Sequence, residues 1–240
     1  MTYTVLPDAA AVSAAGADIF VERARDAIAQ RGIFRVALSG GGTPKQIYPL
    51  LVSEPRISDV DWSRVEFWWG DERAVPPDHP ESNFGVANDL LLRHLPKIDE
   101  ENVHRMPADA EDLVAAAADH EADLRGAYDI GPDDPPPALD LIWLGMGPDG
   151  HCASLFPGSE ALAERERLVV ANWAPGPKAW RMTFTYPLIN AARDVLFLVT
   201  GADKTDALTA IRRGADLPAA RVKAQQTDWV IDAAAAGSAR

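Results

Sequence analysis

Short apolar runs alternate with stretches of helical periodicity along almost the whole chain, and this alternation leaves few architectures open. Strand-like runs occupy residues 3–6, 33–38, 65–69, 139–144, 168–171, 181–185, 195–200 and 229–231. Helix-like stretches occupy 9–31, 82–95, 111–128 and 204–213, with another opening at Thr43. Within 9–31, Val12, Ile19, Phe20, Ala24, Ala27 and Ile28 fall mainly on one stripe, and Gly32 is placed to close the end. Thr43 followed by Pro44 reads as an N-cap and a first helical position. Ser82 is the natural cap of the next helix, with Phe84, Ala87, Leu91 and Leu95 near one face. The run 139–144 is nearly all apolar, as expected of a strand covered on both faces. The pattern predicts an α/β fold with a mostly parallel, Rossmann-like doubly wound sheet and helices on both faces. Ligands in such sheets sit at the carboxyl ends of strands. The loops after Leu38, Trp69 and Leu144 are therefore where chemistry is to be sought.

No repeat and no change of composition divides the 240 residues, so one domain over 1–240 is expected. A Pro- and Asp-rich loop at 131–137 and an alanine-rich tail at 233–240, expected to fray, are the two breaks in texture. The 23 Lys and Arg against 36 Asp and Glu leave a net charge of −13. Nucleic-acid binders neutralise phosphates with excess cations, so this balance argues against such a partner. It leaves room for one small phosphorylated ligand, which needs only a local cluster of cations. The single cysteine, Cys152, cannot form an internal disulfide, which suits a reducing cytosol. The N-terminus has neither a basic flank nor an apolar core of a secretory signal. The apolar runs are too short for a membrane span. A cytoplasmic protein without membrane contact is expected.

The first loop, S-G-G-G-T-P-K at 39–45, follows a strand and opens a helix. Gly40, Gly41 and Gly42 let the backbone approach a ligand closely. Their N–H groups and the helix N-terminus at Thr43 make an anion site. The spacing is not that of a nucleoside-triphosphate loop. The second loop carries G-D-E-R at 70–73, where Arg73 is suited to bind a phosphate in bidentate fashion and Asp71 to bind sugar hydroxyls. Asn83, just after the Ser82 cap, is a further polar contact. Taken alone, this stretch reads as a surface ion cluster and a plain cap.

The third loop, G-M-G-P-D-G-H-C-A-S-L-F-P-G at 145–158, is the most informative. Gly145, Gly147 and Gly150 have dinucleotide-fingerprint spacing, yet Pro148 removes one N–H from the cradle and Asp149 places a carboxylate beside any pyrophosphate. The following strand also ends without an acidic ribose ligand. The glycines instead expose His151, a group that titrates near neutrality and serves as a general base, with Asp149 placed to orient it. Cys152 reads as a small buried residue. His79 falls in a Pro-rich loop, His94 and His120 on helix surfaces, and His104 beside a strand. No spacing suggests a metal. The fourth stretch, 175–190, places Lys178 and Arg181 just before and into a strand; alone, these read as solvent-exposed cations.

Taken together, S-G-G-G-T-P, G-D-E-R, S-N, G-M-G-P-D-G-H-x-A-S-L-F-P-G, K-x-x-R-M-T and the terminal L-P-A-A-x-V at 217–222 resemble the 6-phosphogluconolactonases, in the expected order and over nearly the whole chain. The resemblance implies cytosolic hydrolysis of 6-phospho-D-glucono-1,5-lactone to 6-phosphogluconate, the second step of the oxidative pentose phosphate pathway, with no metal and no organic cofactor. It implies His151 as the base, and Arg73, Lys178 and Arg181 as phosphate contacts beside the glycine loop. Cys152 departs from the threonine often found there. The related glucosamine-6-phosphate isomerase/deaminases carry a glutamate five residues after the histidine, where this chain has Phe156. A sugar-phosphate sensor domain of a transcription regulator is the non-enzymatic alternative, and the strand at the very start and the charge of −13 argue against it.

Overall fold

The computed structural model describes residues 2–237. In chain order the elements are β1 (Thr2–Leu6), α1 (Ala9–Arg31), β2 (Phe34–Leu38), α2 (Gly42–Leu51), β3 (Val65–Trp69), β4 (Asp71–Arg73), α3 (Asn83–Leu90) and α4 (Leu113–Ala127). There follow β5 (Leu141–Leu144), β6 (Val169–Ala174), β7 (Ala179–Phe184), α5 (Tyr186–Ala191), β8 (Asp194–Val199), α6 (Thr205–Arg212), β9 (Gln226–Asp232) and α7 (Ala233–Ala236).

Six strands form one wholly parallel sheet in the order β1-β9-β8-β5-β2-β3. Helices cover both faces. On one face Phe20 of α1 meets Phe34, Trp62 and Trp143 at ring-centroid distances of 5.2, 5.9 and 5.4 Å. On the other, Trp68 of β3 meets His120 of α4 at 5.4 Å. Burying these aromatic rings supplies much of the apolar driving force for a layered α/β core, at about 25 cal/mol per Å² removed from water. The strand order reverses between β2 and β5, and the crevice outside their carboxyl ends is where such sheets bind ligands.

α1 has the expected bounds: Asp8 caps it, its side chain accepting from the Ala11 N–H, and Gly32 ends it in the left-handed region at φ 80°. Four expectations need correction. α2 begins at Gly42 with Gly41 as N-cap, so Thr43 is not the cap; its hydroxyl lies 3.0 Å from that of Thr200 instead. The flexible glycines turn the chain into the helix earlier than a Thr-Pro signal alone suggests. α3 ends at Leu90 and gives way to a separate turn at Leu92–His94 rather than running to Leu95. Residues 71–73 form a strand, not a loop, and join β6 and β7 in a second, antiparallel sheet of order β4-β7-β6. The alanine-rich tail is not frayed at its start: Asp232 caps α7 and Ala235 is buried, while residues 238–240 lie outside the described residues.

Candidate active site

The glycine loop hangs from the end of β2. The buried Tyr48 hydroxyl of α2 donates to the Ser39 carbonyl at 2.9 Å, tying helix to loop. A Cβ on Gly40 would lie 1.7 Å from Asn83 Oδ1, so only glycine lets the loop settle onto α3. Asn83 itself is buried, with its side-chain N–H donating to the Asp71 carbonyl at 2.8 Å and to Asp71 Oδ1 at 3.3 Å. It stands beneath the loop rather than on the wall of the main cavity.

β4 divides the G-D-E-R motif by function. Its carboxyl groups alternate across the strand, as side chains in a strand must. Glu72 accepts from the N–H groups of Asn83 and Phe84 at 2.8 Å each and from the Ser82 hydroxyl at 3.0 Å, fastening the start of α3. Burial pushes its carboxyl above the usual range, against the lowering pull of these N–H groups. Asp71 accepts from the Ser154 hydroxyl at 2.6 Å, which links β4 to the histidine loop. Arg73 and Arg181 are register partners across β4 and β7 and share one face of the small sheet. Arg73 donates to the Glu81 carbonyl at 2.6 Å, and neither guanidinium forms a salt bridge among the described residues. Partial burial, reinforced by the neighbouring Arg73 charge, lowers the pKa of Arg181.

The histidine loop follows β5. His151 Nδ1 lies 2.6 Å from Asp149 Oδ1, and the His151 backbone N–H donates to the same oxygen at 3.2 Å. Burial alone raises the Asp149 carboxyl; the hydrogen bonds and charge of His151 outweigh it and hold the group below its ordinary value. An ionised carboxylate only accepts, so Nδ1 carries the proton and Nε2 keeps its lone pair in the neutral ring. Phe156 stacks on the imidazole with centroids 4.0 Å apart. A Cβ on Gly147 would lie 2.1 Å from the ring, so the second glycine is the floor on which the histidine rests.

One cavity of about 460 Å³ brings together Gly40, Gly41, Gly42, Thr43, Asp71, Arg73, Arg181 and His151. Lys178 is exposed in the turn between β6 and β7, one residue beyond the cavity-lining Pro177. Cys152 is fully buried and its thiol is pushed up by burial, in keeping with a residue that packs. His120 corrects an expectation: it is 2 % exposed, turned inward onto Trp68, not on the helix surface. Sequence reasoning missed the loop after β8, whose Thr200, Asp203 and Lys204 complete the cavity wall. The signal was present, because T-G-A-D-K follows an apolar strand and the carboxyl-end rule applies to β8 as much as to β5. Among the described residues no three His, Cys, Asp or Glu side chains are grouped to hold a metal ion. Among the described residues no helix is long and apolar enough to cross a membrane.

The family model described as glucosamine-6-phosphate isomerases/6-phosphogluconolactonase matches residues 7–231. The chain belongs to this family. Within it the chain lies on the 6-phosphogluconolactonase side, an enzyme branch. It is 40 % identical over 239 residues to a 6-phosphogluconolactonase of Nostoc sp., covering 98 % of this chain and 96 % of that protein. It is 40 % identical over 241 residues to the 6-phosphogluconolactonase of Mycobacterium tuberculosis, covering 97 % and 96 %. The solved 6-phosphogluconolactonase of Trypanosoma brucei is 30 % identical, with a TM-score of 0.83 over 100 % of this chain and 98 % of that one. The family's fold does not by itself separate its activities, since a monomeric glucosamine-6-phosphate deaminase only 19 % identical gives the same TM-score of 0.83. The side chains of the cavity have to make that distinction.

Proposed function

We propose that the chain hydrolyses 6-phospho-D-glucono-1,5-lactone to 6-phospho-D-gluconate, the second step of the oxidative pentose phosphate pathway, in the cytosol. The observation that carries this reading is the composition of one cavity: two arginines without salt-bridge partners on one wall and His151, held by Asp149 from outside the lining, on another. In a chain of net charge −13, two adjacent guanidinium groups left without carboxylates imply an anionic ligand. Arg73, Arg181 and the N–H groups of residues 40–43 bind the phosphate, with Lys178 a further cation at the rim. Asp71 binds a sugar hydroxyl beside Ser154, and Asn83 acts from below by holding Asp71.

A lactone is already an activated ester, so a covalent nucleophile is unnecessary. Neutral His151 takes a proton through Nε2 from a water that attacks C1. The tetrahedral intermediate collapses with cleavage of the bond from C1 to the ring oxygen, and the imidazolium returns its proton to that oxygen. Asp149 fixes the tautomer and stabilises the imidazolium between the two transfers. Such a base contributes about 10²- to 10⁴-fold. Holding the substrate by its remote phosphate supplies orientation. Phe156 occupies the position of the deaminases' glutamate and has no proton to handle, which disfavours the aminosugar-phosphate alternative.

The test is an assay of the purified protein on freshly prepared phosphogluconolactone, corrected for spontaneous hydrolysis, with glucosamine 6-phosphate in parallel. Rapid lactone turnover without release of ammonia is the expected result. Deamination without lactone turnover would assign the other branch, and turnover of neither would point to the sensor alternative.

A further inference from the structure

The turn at residues 217–222 touches no part of the substrate cavity, yet it belongs to the motifs that mark this chain. Its contacts lead to the residue next to His151. The Ala219 N–H donates to the Gly150 carbonyl at 2.9 Å. Among the described residues this is the one hydrogen bond that ties residues 147–151 to a distant part of the chain. The other bonds there close the loop on itself: Gly150 N–H to the Gly147 carbonyl at 3.0 Å, Gly147 N–H to the His151 carbonyl at 2.9 Å, and the Asp149–His151 contacts. Gly150 holds φ at 79°, and a Cβ there would lie 2.8 Å from the Leu217 side chain. Leu217 thus sits directly over the glycine, where it blocks the loop from lifting. The turn is itself anchored, because the buried Tyr186 hydroxyl donates to the Pro218 carbonyl at 2.8 Å.

We infer that Leu217 and Ala219 are positioning residues for His151, bracing Gly150 so that the imidazole keeps its contact with Asp149 and its aim into the cavity. The inference rests on the reading of His151 as the base. A loop closed by its own short hydrogen bonds has several conformations of similar energy, and a glycine at positive φ adds more. One outside hydrogen bond and one apolar side chain on the glycine select among them. The brace works through Gly150 and makes no contact with substrate.

The experiment uses the full chain with Leu217→Ala, Leu217→Met and Tyr186→Phe. It reads kcat and KM on phosphogluconolactone together with the NMR signal of the His151 Nδ1–H proton, assigned by its loss in His151→Asn. That proton lies in the Asp149 contact, so its signal reports the contact directly. Folded Leu217→Ala and Tyr186→Phe are expected to lose about tenfold in kcat with KM unchanged, the scale of a slightly misplaced catalytic group. Their Nδ1–H signal is expected to move upfield and broaden, because a looser contact lengthens the hydrogen bond and opens the proton to exchange. Leu217→Met, which can still cover Gly150, is expected to stay close to the parent. An unchanged Nδ1–H signal in folded Leu217→Ala overturns the brace whatever the rate does. If the parent protein does not turn over the lactone, the proposed function falls and the Nδ1–H signal alone decides the brace.

Discussion

Arg73 and Arg181 sit directly opposite each other across the β4–β7 pairing, two like charges on one face of a three-stranded sheet. Such a pair costs stability, roughly 0.2–1 kcal/mol for like charges directly opposed in an antiparallel sheet. No salt bridge among the described residues offsets it, since Arg73 bonds a carbonyl, Glu81, and Arg181 makes a long contact to its neighbour's carbonyl, Trp180, at 3.4 Å, while the charges of Asp71, Glu81 and Glu72 act on Arg181 only from a distance. Arg181→Met is therefore expected to split the two properties. Melting temperature holds or rises as the repulsion is relieved. kcat/KM on the phosphorylated lactone falls by the equivalent of about 1.5–3 kcal/mol, the scale of a charge-assisted hydrogen bond. Steady-state kinetics beside thermal unfolding checks it, and equal turnover of the phosphorylated and unphosphorylated lactones would remove the phosphate clamp.

His151→Asn is expected to abolish about 10²- to 10⁴-fold of the rate while the fold survives. The ring is partly exposed and its packing rests on Phe156 and Gly147, neither of which needs the imidazole to stay folded. Circular dichroism and melting should match the parent. Near-parental kcat in the folded variant would take the base away from this residue.

Asp149→Asn tests the orienting carboxylate. In the folded protein the hydrogen bonds from His151 hold the Asp149 carboxyl below its ordinary value, despite burial. The pair therefore adds stability above the carboxylate's unfolded pKa, and that stability is lost as pH falls through the lower folded value. In Asp149→Asn that pH-dependent contribution is gone, and kcat at neutral pH should drop because the amide no longer fixes the tautomer that leaves Nε2 free. Steady-state kinetics of the folded variant reads the second effect, and urea unfolding from pH 7 to pH 3 beside the parent reads the first. A parental kcat would mean that Asp149 only supports the loop.

What was legible in the sequence is what local chemistry sets. The span of α1 follows from its apolar stripe and from Gly32, and the run Val65–Trp69 reads as a strand because Val65, Phe67, Trp68 and Trp69 are all β-prone. The glycine and histidine loops were found because a strand, glycines and a chemically distinct side chain coincide. The small antiparallel sheet was not legible, since three polar residues at 71–73 carry no strand signal and their partner strand lies over a hundred residues away. Asn83 was placed on the ligand by its neighbourhood in sequence, whereas the close approach of Gly40 puts it beneath the loop. His120 lies between Asp119 and Glu121, a polar setting that says surface, yet its one position on α4 points at Trp68.

That buried histidine gives the last prediction. Burial lowers the pKa of His120 from 6.5 to about 4, and the nearby His104 adds to the effect. The unfolded chain takes up a proton near 6.5, and the folded chain does not until about 4. Between those values the unfolded state binds more protons, so stability falls as pH falls. The loss attributable to His120 reaches about 3 kcal/mol by pH 4. Other groups titrate in the same window, notably Glu66, which burial raises but His104 and Arg35 lower further. Comparison with His120→Phe isolates the histidine, because phenylalanine keeps an aromatic ring against Trp68 and has no charge to acquire. Urea unfolding of both proteins at intervals from pH 7 to pH 4 should show the parent's stability dropping more steeply than the variant's. The difference between the two curves should open below pH 6.5. Parallel curves across that range would mean that His120 reaches solvent in the folded protein and is protonated there.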